Sequence, residues 1–430
     1  MKDKIFKALR FFLQKNDLKG PLLLGYSGGP DSKALLHVLL DLRKEVHFFL
    51  HIAHIDHGWR KESSQQAETL KQEIENLGLP FHIKKVTFSQ ENNLEERARK
   101  ERLLFFSILY QKYECRALLL AHQKDDLNET CLKRVLEGAS LPFLYGLCPQ
   151  STLMNMNVWR PFLEVSKKEI RCFLAEKNVL AFEDETNFDP KYLRARMRKE
   201  IFPHLRKNFG KEFQENLSSI ARSSYELKQY LDEKISSILP VKGPWGVYFD
   251  LREKPVFELR YFLNKNLKKY KKVCSRDPIN RLINWIQEKK GNKKITEEIL
   301  VHKGFFFILD TKQTVSFSVQ ISPLEKKEKN SDWRDLFSGA ASICLPNADY
   351  KIKIPSPNEF YGKTPLRHWY SKNEVPPFLR HSIPVVYRDQ KIYAELLSGR
   401  NKNNYEGTTE YIKINITFIP SGVQEPVFES

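Results

Sequence analysis

The sequence predicts an α/β fold: a parallel, doubly wound sheet in the N-terminal domain, followed by a helical linker and middle domain and a small α+β C-terminal domain. Two observations predict the sheet. Short apolar runs alternate with longer stretches of helical periodicity from residue 21 to residue 137, and polar clusters follow three of those runs directly. Strand–helix alternation implies a sheet covered on both faces, and such sheets bind ligands beyond the carboxyl ends of their strands. At 430 residues the chain is too long for one ordinary core. The boundaries fall at 1–212, 213–325 and 326–430.

Pro21 to Tyr26 reads as a buried strand, and Ser32 to Leu42 has helical spacing. Val46 to Ile55 is a second strand and Glu62 to Leu77 a helix. Phe81 to Phe88 is a third strand, Leu94 to Tyr113 a long helix, Ala117 to Ala121 a fourth strand, and Asp125 to Glu137 a helix. Phe213 to Ile235 is helical and Pro240 to Pro244 breaks it. A Lys-rich helical region from about 250 to 310 precedes a hairpin-like pair, Phe305–Asp310 with Val315–Phe317. Lys326 to Asn330 reads as a charged linker. The remainder is β-rich, with one helical candidate at Leu366 to Lys372.

A net charge of +18 favours a polyanionic partner, nucleic acid ahead of an anionic membrane. The N-terminus lacks a signal-peptide apolar run, and no apolar window is long enough for a bilayer. A soluble, cytoplasmic protein without a membrane partner is expected. Six cysteines are scattered with no Cys-x-x-Cys pair, so the sequence suggests neither a zinc knuckle nor an iron–sulfur cluster.

The chemistry centres on Ser27-Gly28-Gly29-Pro30-Asp31-Ser32, between the first strand and its helix. Glycines let backbone N–H groups approach a phosphate closely, and the helix adds its positive N-terminal end. Ser27 and Ser32 offer hydroxyl donors. Asp31 is out of place beside an anion unless it holds Mg²⁺. The loop lacks the Gly-Lys-Ser/Thr of a Walker A motif. A strand-to-helix turn capped by Ser32 would explain the loop alone. It does not explain the second cluster, His54 to Arg60, or the third, His122 to Asp126.

The loop resembles the pyrophosphate-binding loop of the N-type ATP pyrophosphatases, a PP-loop, adenine nucleotide α-hydrolase-like superfamily. The resemblance implies binding of ATP by Ser27, Gly28, Gly29, Pro30, Asp31 and Ser32, cleavage between its α and β phosphates, and Asp56 and Arg60 lining the nucleotide pocket. The remaining blocks narrow the choice. His54-Ile55-Asp56-His57-Gly58-Trp59-Arg60, Asn93 to Arg102, Ala121 to Thr130, Trp159-Arg160-Pro161-Phe162-Leu163, and Asp184 to Asn187 with Arg194 to Arg198 are similar, in order, to the motifs of the tRNA(Ile)-lysidine synthase family. Leu366 to Trp369 and Pro376 to Val386 resemble its C-terminal domain. The chain departs from the family at Ala195, where an asparagine usually follows the arginine.

That resemblance implies a C–N ligase acting on tRNA. ATP and Mg²⁺ adenylate the C2 oxygen of the wobble cytidine in the CAU-anticodon isoleucine tRNA, and free L-lysine displaces AMP to give lysidine. It places His122, Asp126 and Glu129 in the active site, Arg102 in the adenylation step, and Asp31 on the metal. His122, Asp126 and Glu129 are spaced i, i+4, i+7, one face of a helix; capping is the structural alternative for the two carboxylates. Arg194, Arg196, Arg198 and Lys199 read as a solvated helix face or, beside a tRNA enzyme's active site, as phosphate contacts. His54 and His57 read equally as strand-end hydrogen-bond partners. Rival readings are a tRNA thiolase, whose cytidine-acting members carry Cys pairs absent here, an amidating synthetase, and a non-catalytic RNA-binding protein. The sequence leaves the oligomeric state open, a homodimer included.

Overall fold

A computed structural model of the chain describes residues 2–14, 20–56, 58, 63–86, 94–181, 193–210, 212–270, 276–311, 314–324, 328–380, 382–400 and 410–420. Of the residues singled out in the sequence, His57, Arg60, Asn93, Asp184 to Asn187 and Lys326 lie outside those described. The chain forms two compact units, Met1–Tyr230 and Leu231–Ser430.

The first unit opens with α1 (Lys2–Gln14) and continues β1 (Leu22–Gly25), α2 (Pro30–Leu42), β2 (Leu50–Asp56), α3 (Ser63–Asn76), β3 (Phe81–Lys85), α4 (Leu94–Lys112), β4 (Ala117–Leu120) and α5 (Lys124–Leu136). An antiparallel pair follows, β5 (Gln150–Leu153) and β6 (Met156–Trp159). Then come α6 (Lys167–Glu176), α7 (Leu193–Arg196), a π-helical turn at Met197–Ile201, α8 (Phe202–Phe209) and α9 (Phe213–Ile235), whose residues from Leu231 on belong to the second unit. The strands order β3-β2-β1-β4-β6-β5 in one sheet. Every neighbouring pair but β5–β6 is parallel.

Leu22, Leu23 and Leu24 are all fully buried because helices cover both faces. Leu22 and Leu24 pack with Leu9 of α1, Leu35 and Leu39 of α2, and Phe173 of α6, whereas Leu23 faces Phe106 and Leu109 of α4. From β1 the chain winds outward through β2 and β3, then returns to place β4 on the other side of β1. That reversal opens a crevice beyond Gly25 and Leu120, where ligands of such sheets bind.

The second unit holds β7 (Val241–Gly243), β8 (Gly246–Asp250), α10 (Val256–Lys269), α11 (Arg276–Glu288), β9 (Asn292–Lys294), β10 (Ile299–His302) and β11 (Phe305–Leu309). It continues with β12 (Val315–Leu324), α12 (Trp333–Phe337), β13 (Ala340–Pro346), β14 (Lys351–Lys353), β15 (Phe360–Tyr361), β16 (Thr364–Pro365), α13 (Leu366–Lys372), β17 (Val385–Arg388), β18 (Lys391–Glu395) and β19 (Tyr411–Pro420). One core joins Tyr248, Phe305 and Phe307 to Trp333, Phe337, Ile343, Val386 and Ile414.

The N-terminal strand–helix alternation agrees with the expectation, as does the helix at Leu366–Lys372. The expected pairing of Phe305–Asp310 with Val315–Phe317 does not occur. β11 pairs with β10 and β8, and β12 pairs with β19 over ten residues. The reason is a two-residue turn between β10 and β11, with Lys303 at φ 49° and Gly304 at φ 86°. Positive φ at both central positions makes the strands turn back there, and Lys-Gly is a weaker signal than Asn-Gly. The stretch read as helical from 250 to 310 accordingly contains β9 to β11 after α11. Among the described residues no helix is long and apolar enough to cross a membrane.

Phe337 is fully buried, with ring centroids of Tyr248 and Phe307 at 5.1 and 5.8 Å. Phe337→Ala is expected to cost the second unit about 3–5 kcal/mol, read as a lower urea midpoint by tryptophan fluorescence. An unchanged midpoint would show that this core does not hold the unit together.

Candidate active site

The loop after β1 is built by its own side chains. Ser32 is buried; its hydroxyl donates to the Gly29 carbonyl at 3.0 Å and accepts from the Ser27 N–H at 3.3 Å. The Ser27 hydroxyl accepts from the Gly29 N–H at 3.3 Å. Both hydroxyls, expected to face a phosphate, instead brace the turn. Gly28 sits at φ 78°, where a Cβ would lie 2.8 Å from the Leu70 methyl carbons. Glycine alone fits that backbone and that spacing. α2 starts with Gly29 as its N-cap and Pro30 in its first turn, and no side chain caps it. Its N-terminal N–H groups and positive end are therefore presented to the crevice, a ready anion site.

Asp31, in the first turn of α2, has a buried Oδ1 with no hydrogen-bond partner. Its pKa is pushed up to about 6, by burial first and then by the Asp126 carboxylate, against the pull of Lys167 and Arg198. A carboxylate buried beside another, with a free oxygen, suits a divalent cation. Among the described residues no group of three or more His, Cys, Asp and Glu forms a cage for one. The donor set matches Mg²⁺, which is held by one or two carboxylates together with phosphates and water.

The third cluster differs from its expected geometry in one respect. α5 starts at Lys124 with Gln123 as its N-cap, so His122 lies in the turn after β4 and does not share a helical face with Asp126 and Glu129. The capping alternative holds in part. Asp126 Oδ2 accepts from the Gln123 N–H at 3.0 Å, closing a capping box, while Glu129 takes no part in the cap. The other Asp126 oxygen accepts from Arg198 Nη2 at 3.1 Å. Glu129 is almost fully buried and accepts from Arg198 Nε at 2.5 Å and Nη2 at 3.2 Å. Burial raises the Glu129 pKa, and the Arg198 guanidinium opposes that rise. Arg198, from the π-helical turn, thus ties both carboxylates together.

His122 has a buried Nδ1 without a partner. Burial lowers its pKa strongly; Asp126 opposes this, and Arg160, Arg194 and Arg102 add to it. It is a neutral imidazole at neutral pH. Arg102 on α4 is exposed, as are Arg194, Arg196 and Lys199, whereas Ala195 is buried. Asp56 ends β2 buried, its Oδ1 accepting from the Gly58 N–H at 2.9 Å. His54 is a strand-end partner: its Nδ1–H donates to the Tyr26 carbonyl at 2.9 Å, and burial lowers its pKa.

Sequence reasoning assigned no role to Arg160 and Lys167, both within electrostatic reach of the cluster. Arg160 is buried after β6, its Nη1 donating to the Cys148 carbonyl and the Ser151 hydroxyl, its Nε unpartnered. A charge inside the apolar run Val158 to Leu163 was the available signal.

Fold and site define the class: a PP-loop nucleotide-binding domain, and the PP-loop ATP-binding family matches residues 2–205. The tRNA(Ile)-lysidine synthase of Protochlamydia amoebophila is 33% identical over 93% of this chain and 93% of its own length. That of Chlamydia caviae is 38% identical over 54% of this chain and 73% of its own. The chain belongs to the tRNA(Ile)-lysidine synthase family. Among solved structures, a U34-tRNA thiolase of Methanococcus maripaludis is similar over 53% of this chain and 78% of its own, with a TM-score of 0.43 and 17% identity.

Asp31 binds its proton more tightly in the folded chain than in the unfolded one, so its ionisation destabilises the metal-free fold as pH rises from about 4 through about 6. Asp31→Asn is expected to match wild type below that window and to exceed it at pH 8 by up to about 3 kcal/mol. Chelator-treated protein unfolded in urea at both pH values checks this. Equal stabilities at pH 8 would contradict the raised pKa.

Proposed function

We propose that the chain ligates L-lysine to C2 of the wobble cytidine, position 34, of the CAU-anticodon isoleucine tRNA, forming lysidine in the cytoplasm with release of AMP and pyrophosphate. The observation that carries the proposal is the junction of an uncapped helix N-terminus with the half-buried carboxylates of Asp31 and Asp126 and the buried one of Glu129. The near full-length relationship to a lysidine synthase supports it.

ATP is the energy source, its phosphates received by the loop 27–32 and the start of α2. Mg²⁺ bound at Asp31 would neutralise phosphate charge during adenylation of the cytidine C2 oxygen. Arg102, exposed and within electrostatic reach of His122, faces the charge that develops at the α-phosphorus. Neutral His122 can accept or donate a hydrogen bond there without adding charge.

Lysine arrives almost wholly protonated at neutral pH. Asp126 and Glu129 attract that ammonium, and Glu129, its proton affinity raised by burial, accepts the proton that frees the amine to attack C2. AMP leaves with the C2 oxygen, so the bond formed and the bond broken balance. Arg194, Arg196 and Lys199 are exposed and suit tRNA phosphates, whereas Arg198 spends its Nε and Nη2 on Asp126 and Glu129. The segments 213–325 and 326–430 serve as further tRNA- and substrate-binding parts. The thiolase alternative has less support, since the sequence carries no Cys-x-x-Cys pair and the near full-length relative is a lysidine synthase.

With ATP, Mg²⁺ and the CAU-anticodon isoleucine tRNA, labelled lysine is expected to enter the tRNA; unlabelled tRNA at saturating enzyme would sink the proposal. Asp31→Asn is expected to lower tRNA-dependent pyrophosphate release at least about a hundredfold. Release at the wild-type rate would remove Asp31 from the metal.

A further inference from the structure

The loop 27–32 has two shoulders, Tyr26 before it and Lys33 after it, and one side chain outside the loop holds both. Glu73 of α3 accepts from Lys33 Nζ at 2.7 Å and from the Tyr26 hydroxyl at 3.4 Å. Three residues earlier on α3, Leu70 packs against the Gly28 Cα so closely that a Cβ there would meet it at 2.8 Å. Leu70 and Glu73 share one helical face. A single face of α3 therefore touches the residue before the loop, the turn within it and the residue after it.

The pair Lys33–Glu73 is not an ordinary surface ion pair. The Lys33 side chain is 6% exposed and that of Glu73 27%. An ammonium so deeply buried needs a charged partner. Lys33 also lies in the opening turns of α2, where the helix end already repels positive charge. A carboxylate supplied by α3 offsets both penalties, which ties the start of α2 to α3. The Tyr26 backbone is fixed from the other side, its N–H donating to the Ala53 carbonyl and its carbonyl accepting from His54.

We propose that Glu73 is a positioning residue for ATP: by holding Tyr26 and Lys33 together it sets the separation of the two shoulders of the phosphate-binding loop, and so the aim of the loop and helix N–H groups. This rests on the proposed adenylation reaction for its kinetic readout. α3 begins just beyond the Asp56 segment, so the helix that braces the loop is entered from the second polar cluster of the same crevice.

Glu73→Gln keeps the size and one acceptor but removes the charge. It is expected to raise the KM for ATP about tenfold to a hundredfold while the KM for tRNA stays within about twofold of wild type. Because a buried ammonium without its partner can also loosen the fold, the double variant Lys33→Met with Glu73→Leu is the control. Replacing a buried ion pair by apolar residues restores stability but not the tie to Tyr26. The double variant is expected to unfold at the wild-type temperature and still bind ATP weakly. Recovery of ATP affinity together with stability, or a Glu73→Gln variant with wild-type ATP affinity, would overturn the proposal. Calorimetric titration with ATP alone separates this from the reaction itself: a wild-type chain that binds ATP but transfers no lysine would sink the ligase reading and leave the role of Glu73 standing.

Discussion

Negative charge buried at the carboxyl edge of the parallel sheet is the constraint on which the first unit depends. Asp31, Asp126 and Glu129 interact there, and burial acts against the ionised form of Asp31 and Glu129. One guanidinium, Arg198, holds two of the three. A buried carboxylate without such a partner is strongly destabilising, so the turn carrying Arg198 and the start of α5 are bound to each other by charge. Asp126 has a second anchor, since its other oxygen closes the cap of α5. Its position is set by the backbone before any substrate arrives.

The sheet order explains why these groups meet. The central strands β1 and β4, covered on both faces, carry no polar side chains, as the fully buried Leu22 to Leu24 and Leu118 to Leu119 show. Polar chemistry gathers at the end of β2 and in the loops that follow β1 and β4. Only where the winding reverses, between β1 and β4, do two loops diverge enough to open a crevice. The phosphate loop leaves β1 and His122 leaves β4 at that point. β2, beside β1, adds Asp56.

The parts legible in the sequence are those encoded locally. Alternating apolar runs gave the strands and helices of the first unit, and Gly28 and Asp31 marked the loop. The parts that were not legible depend on partners far apart in the chain. Arg198 and Glu129 are 69 positions apart, and Lys33 and Glu73 are 40 apart. No periodicity reports such pairings, so Arg198 read as part of a basic run. Spacing also misled: i, i+4, i+7 placed His122 on a helix, but Gln123 starts α5 as its cap. Ser32 read as a phosphate donor because a hydroxyl in a glycine turn has two uses, and locking the turn at the Gly29 carbonyl is the one it takes.

Five buried side-chain atoms among the described residues lack a hydrogen-bond partner: Asp31 Oδ1, His122 Nδ1, Arg160 Nε, His302 Nδ1 and Tyr370 OH. Each such atom costs about 1–3 kcal/mol when nothing replaces its lost water. The first three belong to one electrostatic neighbourhood, since Asp126 acts on both Asp31 and His122, and Arg160 acts on His122. The same neighbourhood orients Asp126 and Glu129 through Gln123 and Arg198, which leaves lone pairs on both carboxylates. His302 Nδ1 and Tyr370 OH lie in the second unit, whereas these three gather at the crevice, beside carboxylates that already have partners. The bonded carboxylates hold their places, and the unpartnered oxygen of Asp31 and nitrogen of His122 are left for what enters. That division between fixed and unsatisfied groups is what an adenylating site requires, because charge appearing at the phosphate must meet dipoles already in place.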